Sequence, residues 1–318
     1  MEKRARPRRA NGISARRALI SIGTNSTRLL VADVTPNGVV PLAHDSRGTR
    51  LGAHLRDSGP LDPEARERTL EAIDAYVAIA HRYEAPISVI ATSAMRRASD
   101  GAAFAAEIAA HTGSEPHVLN GEEEARYSFL GATATLGDHG ESAVGVLDVG
   151  GGSTEYACDV PSHVRASLAT ALSFEIGAVR LAEAVPELLG ECALDEARRL
   201  EVTQRARAHA ARVLAPLGDL PLATTLLAVG GTVVTAGLML HGHGDGAILT
   251  GSDRRGLIDD LLARALAGRI EMPGIRPQRA DILAAGLIIV DEAALALRCP
   301  TLTISLSDLL VGYIRATA

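Results

Sequence analysis

The chain has 318 residues and a formal net charge of −6, and of its 32 basic residues only Lys3 is a lysine. That excludes a P-loop, a kinase-type ATP lysine and a Schiff base in the folded body, so a buried positive charge must be an arginine, a histidine, a metal ion or a helix N-terminus. A hydrophobic content of 47% suits a globular protein of about two domains, while 3% aromatics and no Trp disfavour a base-stacking platform and a specific nucleic-acid partner.

Residues 1–17 carry seven basic residues against Glu2 alone, a net of +6 that leaves −12 for the rest of the chain. This segment reads as a solvated, disordered tail. The apolar run that follows, Ala18 to Ile22, is too short for a signal-peptide core, and no stretch approaches the ~18 apolar residues of a membrane span. Three widely spaced cysteines (Cys158, Cys192, Cys299) argue against a disulfide framework. A reduced, cytoplasmic protein without a membrane partner is expected.

Strands are predicted at Leu19 to Ile22, Leu29 to Val34 and Val39 to Ala43, the last after a Pro36-Asn37-Gly38 turn. Asp62-Pro63 starts a helix reaching Tyr83, with Asp as N-cap and Pro at the first helical position. A β-rich run covers Ile87 to Ala91, followed by a helix at Gly101 to His111, a short strand at Pro116 to Leu119 and a helix at Glu122 to Leu136. Beyond Gly137-Asp138-His139-Gly140, the expected domain boundary, strands fall near 144–149, 155–160, 164–172, 226–229 and 302–304. Helices are predicted at about 195–214, 253–267 and 277–297. Such alternation is an α/β pattern.

An internal repeat organises these elements. Leu19-Ile-Ser-Ile-Gly-Thr-Asn-Ser-Thr-Arg28 matches Val146-Leu-Asp-Val-Gly-Gly-Gly-Ser-Thr-Glu155 at an offset of 127 residues. Each copy is a strand, a glycine turn ending in Ser-Thr, and a second strand. Backbone N–H groups in such turns can cradle a phosphate. The candidate phosphate loops are Gly23, Thr24, Asn25 and Ser26; Gly150, Gly151, Gly152, Ser153 and Thr154; and a third strand-turn with Gly230, Gly231 and Thr232. Asp148 precedes the second turn, where a carboxylate can hold a divalent metal or orient water. His241, His243 and Asp245 lie in a glycine-rich stretch read as a loop, and Ser153 has no recognisable His–Asp pair for nucleophilic chemistry.

These turns, together with Thr49-Arg-Leu-Gly52, Ala91-Thr-Ser-Ala-Met-Arg96, Gly121-Glu-Glu-Glu-Ala-Arg126, Gly177-Ala-Val-Arg-Leu181 and Arg279-Ala-Asp-Ile282, run in one order along nearly the whole chain. In this the chain resembles the exopolyphosphatase / guanosine pentaphosphate phosphohydrolase (Ppx/GppA) family of the actin–Hsp70–sugar kinase superfamily. The resemblance implies two ribonuclease-H-like domains, residues 18–136 and 137–318, with an interdomain active-site cleft and the last helix returning to the first domain. It implies Mg²⁺-assisted hydrolysis of a terminal phosphoanhydride in polyphosphate or a guanosine alarmone, and a homodimer. Carried onto this sequence, Glu123 matches the catalytic base, Arg96 a phosphate-contacting arginine, and Asp148 and Glu155 acids at the metal and water.

The chemistry is consistent, since phosphoryl transfer needs mainly positioning and charge neutralisation, with a carboxylate to orient water. Glu123 sits at a helix start, with Glu124 as the second candidate, and Arg96 offers a forked guanidinium. Two positions depart from the family pattern: Ser21 stands where Asp is usual, as its repeat partner Asp148 also indicates, and Leu310 replaces an arginine. These departures motivate an alternative, a weakened polyphosphate- or alarmone-binding regulator.

Overall fold

The structure, a computed structural model, describes residues 15–55, 58–136, 143–160 and 167–318. Most of the basic tail and the expected boundary at 137–140 lie outside the described residues. The tail ends earlier than its charge suggested. Strand β1 (Ala15–Ile22) already includes Arg16, whose Nε donates to Asp33 Oδ1 at 2.6 Å.

The first sheet continues with β2 (Thr27–Thr35), β3 (Gly38–Arg47), β4 (Ile87–Ala91) and β5 (His117–Val118), in the order β3-β2-β1-β4-β5. The first three strands form an antiparallel meander, and β4 and β5 add in parallel. Its helices are α1 (Pro63–Arg82), α2 (Ser93–Arg97) and α3 (Gly101–Thr112), and α4 (Gly121–Ala132) follows. At the start of α1, Asp62 accepts from the Ala65 amide at 2.8 Å, the cap read from sequence.

The second sheet holds β6 (Val144–Val149), β7 (Thr154–Val160), β8 (Ser167–Phe174), β9 (Thr225–Val229), β10 (Ile248–Thr250) and β11 (Thr301–Ile304), in the order β10-β11-β9-β6-β7-β8. It repeats the meander followed by parallel strands. Its helices are α5 (Ala178–Ala184), α6 (Glu196–Leu214), α7 (Gly231–His241), α8 (Gly251–Leu262), α9 (Leu266–Ile270) and α10 (Leu283–Ala296), and α11 (Leu309–Thr317) ends the chain. The helix expected at 253–267 is two pieces, α8 and α9, and that expected at 277–297 begins with a 3₁₀ turn at Pro277–Arg279. Helices α2, α5 and α7 were not foreseen, and the last helix, expected to return to the first domain, had no predicted span of its own. Residues 232–237 of α7 are all buried, so it shows no amphipathic stripe to read.

Each sheet is sandwiched, because successive strand residues point to opposite faces. On the first, Ile20, Ile22, Leu29 and Val31 meet Ile73, Tyr76 and Phe104 of α1 and α3. Leu19, Leu30 and Ile90, on the other face, meet Leu309, Leu310 and Ile314 of α11. On the second, Leu147, Tyr156 and Leu226 face a large core that includes α10, and Val146, Ala157 and Val229 face Ala125, Phe129 and Ala132 of α4. The two lobes therefore exchange helices. α4, expected to close the first domain, covers the second sheet, and α11 covers the first.

α4 and α11 also touch backbone to backbone. A Cβ on Gly131 would lie 1.9 Å from the Asp308 carbonyl oxygen, and one on Gly312 would lie 1.8 Å from that of Tyr127. Only glycine permits this approach. No described helix is long and apolar enough to cross a membrane.

Candidate active site

The two repeat turns close with the same hydrogen bond, Gly23 N to Ser26 O and Gly150 N to Ser153 O, each at 3.0 Å. They face each other: a Cβ on Gly151 would come 3.1 Å from Asn25 Cβ, and one on Gly152 would come 2.4 Å from Thr24 Oγ1. The start of α5 backs the second turn. Ala178 N donates to Gly150 O and Val179 N to Gly151 O, both at 2.9 Å. These bonds occupy the turn's carbonyls on the side of α5.

A cavity of about 90 Å³ separates the turns, lined by Gly23 to Ser26, Gly150 to Ser153, Gly230 and Gly231. Thr154 and Thr232 do not join them. Thr154 Oγ1 donates to Ile176 O at 2.6 Å, and the Thr232 side chain packs towards Gly286 of α10. The glycines of the third turn are required by their neighbours. Gly230 has φ +94°, and a Cβ there would meet Asp148 Oδ1 at 2.8 Å. A Cβ on Gly231 would coincide with the Arg279 guanidinium, 1.9 Å from Cζ, so glycine lets Arg279 lie on the turn.

Three carboxylates converge on the cavity: Glu124, Asp148 and Glu155. Glu123 does not line it. Asn120 caps α4 by accepting from Glu123 N at 2.9 Å, and Glu123 Oε2 accepts from Asn120 N at 2.8 Å. This reciprocal capping box commits the Glu123 side chain to the helix end, about a third exposed and 3.4 Å from His117 Nε2. The next residue along α4 turns inward, and Arg96 Nη1 donates to Glu124 Oε1 at 2.5 Å and to Leu119 O at 2.6 Å. Arg96 thus holds Glu124 rather than standing free for phosphate. The Asn-x-x-Glu spacing was the sequence signal that separates the two glutamates.

Neighbouring side chains fix the other acids. Ser128, one turn after Glu124, donates to Asp148 Oδ2 at 2.7 Å. Ser173 Oγ donates to Glu155 Oε1 at 2.8 Å, and Gly121 lets α4 start directly against Ser173. Burial pushes all three carboxyls upwards. Glu124 rises to about 7 despite Arg96, and Asp148 rises against the Ser128 bond. Glu155 goes well above the ordinary range, helped by the charges of Glu124 and Asp148.

The opposing charges are arginines that sequence reasoning had not assigned. Arg28 is the cross-strand partner of Ser21 and is held by Asp308, the N-cap of α11. Arg279 is pushed down to about 10 by burial and by the charges of Arg28 and Arg276. Arg28 and Arg279 stand between the small cavity and a second one of about 340 Å³. Arg276 and His44 line the second cavity together with the apolar Leu30, Pro41 and Leu310. Ser21 lines the small cavity, and Leu310 is buried against Leu19 and Leu30.

The donor set suits a hard divalent cation. The cavity offers carboxylate oxygens and Asn25 Oδ1, which is buried and has no hydrogen-bond partner. Among the described residues no cluster of three or more His, Cys, Asp or Glu side chains forms a metal cage. Mg²⁺ ordinarily binds through one or two carboxylates and completes its shell with water and phosphate, so a cage is not needed. His241 ends α7 and His243 lies in the loop after it, where Asp245 Oδ1 accepts from Leu306 N at 3.0 Å.

Residues 30–314 match the profile of the Ppx/GppA phosphatase family. The chain is 34% identical over 320 residues to exopolyphosphatase 2 of Mycobacterium tuberculosis, an alignment covering 93% of this chain and 96% of that one. The fold superposes on the crystal structure of an exopolyphosphatase-like protein with a TM-score of 0.81 at 27% identity, over 95% of this chain and 97% of the other. It also superposes on an exopolyphosphatase from Cytophaga hutchinsonii with a TM-score of 0.81 at 22% identity, covering 94% and 96%. With its two-lobed actin-like α/β architecture and its paired glycine turns around buried carboxylates, the chain belongs to the Ppx/GppA phosphatase family.

Proposed function

We propose that this phosphatase is an exopolyphosphatase that releases the terminal phosphate of inorganic polyphosphate by in-line attack of water oriented by Glu124. The inward turn of Glu124, next to the capping-box Glu123, carries this reading. It is the acid at the α4 start that meets the cavity between the two phosphate turns. A carboxyl pushed up to about 7 is matched to accept a proton near neutrality.

In this reading, amides of the Gly23–Ser26 and Gly150–Ser153 turns hold the terminal phosphate. Arg28 and Arg279 neutralise the next phosphates, and the rest of the chain leaves through the 340 Å³ cavity past Arg276 and His44. Asp148 and Glu155 are the proposed holders of Mg²⁺, with Asn25 Oδ1 nearby. When bound, the ion supplies charge neutralisation at the phosphate oxygens. Without a cation the three acids would repel a polyanion.

The apolar lining residues Leu30, Pro41 and Leu310 favour a second substrate reading, guanosine pentaphosphate, with the nucleoside against them. Phosphate release from polyphosphate and from guanosine pentaphosphate, for wild type and Glu124→Gln, tests both. Release from polyphosphate that disappears in the variant is expected. Equal rates for the two proteins would remove Glu124 from the mechanism. Tight polyphosphate binding without release by wild type would instead favour the regulator that Ser21 and Leu310 suggested.

A further inference from the structure

We propose that Arg50 and Asp281 form a cross-cleft clasp that sets the distance between the first phosphate turn and the segment carrying Arg279. They act as positioning residues rather than catalytic ones. Arg50 Nη1 donates to Asp281 Oδ2 at 2.6 Å, joining residues 231 positions apart.

Each end of this pair is tied to the site by backbone. Arg50 N donates to Asn25 O at 3.0 Å and Gly52 N donates to Thr24 O at 2.9 Å. Gly52 lies so close that a Cβ would be 2.5 Å from Thr24 Cγ2. The segment from Thr49 to Gly52 is thus a brace along the outside of the first turn. On the other side Asp281 follows Arg279 by two residues, and Ile282 N donates to Arg279 O at 3.1 Å. Between the two ends, the Gln278 side chain packs 3.1 Å from where a Gly48 Cβ would be.

Two features mark the clasp as more than a surface ion pair. Arg50 has φ +54°, a left-handed conformation unfavourable for a side-chain-bearing residue and kept only where the surroundings impose it. Asp281 is 6% exposed, and its Oδ1 is buried with no hydrogen-bond partner. Arg50 is the ion-pair partner of this carboxylate, with the buried Arg269 as a further cationic neighbour, so removing Arg50 leaves a buried acid without its hydrogen-bonded cation. The clasp thus spaces the lobes.

The kinetic test rests on the phosphatase reading above, while the exchange test does not. For Arg50→Ala and Asp281→Asn, KM for polyphosphate should rise about tenfold while kcat stays within about threefold, the signature of lost positioning of bound substrate rather than lost chemistry. The charge-swapped double variant Arg50→Asp with Asp281→Arg should recover most of that loss, since the two residues couple directly. In substrate-free protein, hydrogen exchange should speed up in the peptide covering residues 19–30 for both single variants and return towards wild type in the double variant. Unchanged exchange there, or a fall in kcat with KM unmoved, overturns the clasp. If wild type releases no phosphate from polyphosphate, the function reading fails and the exchange comparison alone decides the clasp. Should Arg50→Ala not fold, the near-isosteric Asp281→Asn carries the test.

Discussion

The first and second glycine hairpins share a backbone and differ in charge. Each is a two-strand unit with the same turn-closing bond, and each pairs its first strand in parallel with a neighbour, Ser21 with Ile90 and Asp148 with Val229. Cross-strand partners sit at equivalent positions, Ser21 opposite Arg28 in one and Asp148 opposite Glu155 in the other. One hairpin thus presents a hydroxyl and a cation, the other two acids. A duplicated frame is thus divided into a cationic side and an acidic side, which in the proposed mechanism take the phosphate charge and the divalent cation. The missing acid at Ser21 is then part of a charge distribution in which Arg28, anchored by Asp308, faces the acidic pair.

The acidic side gives the largest expected effect. Glu124→Gln should lower kcat for phosphate release about a thousandfold, the scale of a lost general base, while Glu123→Gln stays within a few-fold and loses at most about 1 kcal/mol of stability as a cap. A reversed order in steady-state kinetics and melting would break the assignment. Next, Asp148→Asn should lower kcat about a hundredfold. Ser21→Asp tests the same position in the other hairpin, where the new carboxylate lies opposite Arg28. It should lower the Mg²⁺ concentration for half-maximal activity with kcat little changed. A hundredfold gain in kcat would show instead that the serine is a disabling substitution.

The cationic side depends on the contact between α4 and α11, because Asp308 caps α11 and holds Arg28. Gly131→Ala would force a methyl into the Asp308 carbonyl and should cost about 2–3 kcal/mol, read as a lower urea midpoint. A midpoint equal to wild type would deny that contact its role. The smallest effect concerns pH. Glu124 has a folded value near 7, above the ordinary 4.5, so the native state binds more protons than the unfolded one between those values. In metal-free buffer this group's contribution to stability is present below pH 4.5 and is lost as pH rises through about 7. Glu124→Gln should flatten that fall in denaturant midpoints measured from pH 5 to 8. A steeper fall in the variant would contradict the buried setting of Glu124.

Much of this molecule was legible in advance because it is written in local pattern. Short apolar runs bounded by turn residues gave most of the strands, Asp62-Pro63 gave the α1 start, and the repeated Gly-x-x-Ser-Thr pattern gave the two glycine turns. The repeat alone singled out Ser21 as the counterpart of Asp148. Helix α7, buried nearly all round, was harder, since it carries no polar stripe to set a period.

The choice between Glu123 and Glu124 shows where local reading stops. Their sequence neighbourhood is one acidic run, and both suit a helix N-terminus. The capping box assigns one, and the rotation of α4 against the second sheet assigns the other. Likewise Arg28 and Arg279 are 251 positions apart and become neighbours only when α11 covers the first sheet and the 276–281 segment meets the second glycine-bearing lobe. By itself, then, the sequence determined most of the strands, the glycine turns and the lack of any lysine beyond Lys3. Only the tertiary structure decided which charges share the cleft, because backbone preference and side-chain periodicity act within a few residues. Burial, desolvation and ion pairing depend on contacts between segments that the chain brings together only on folding.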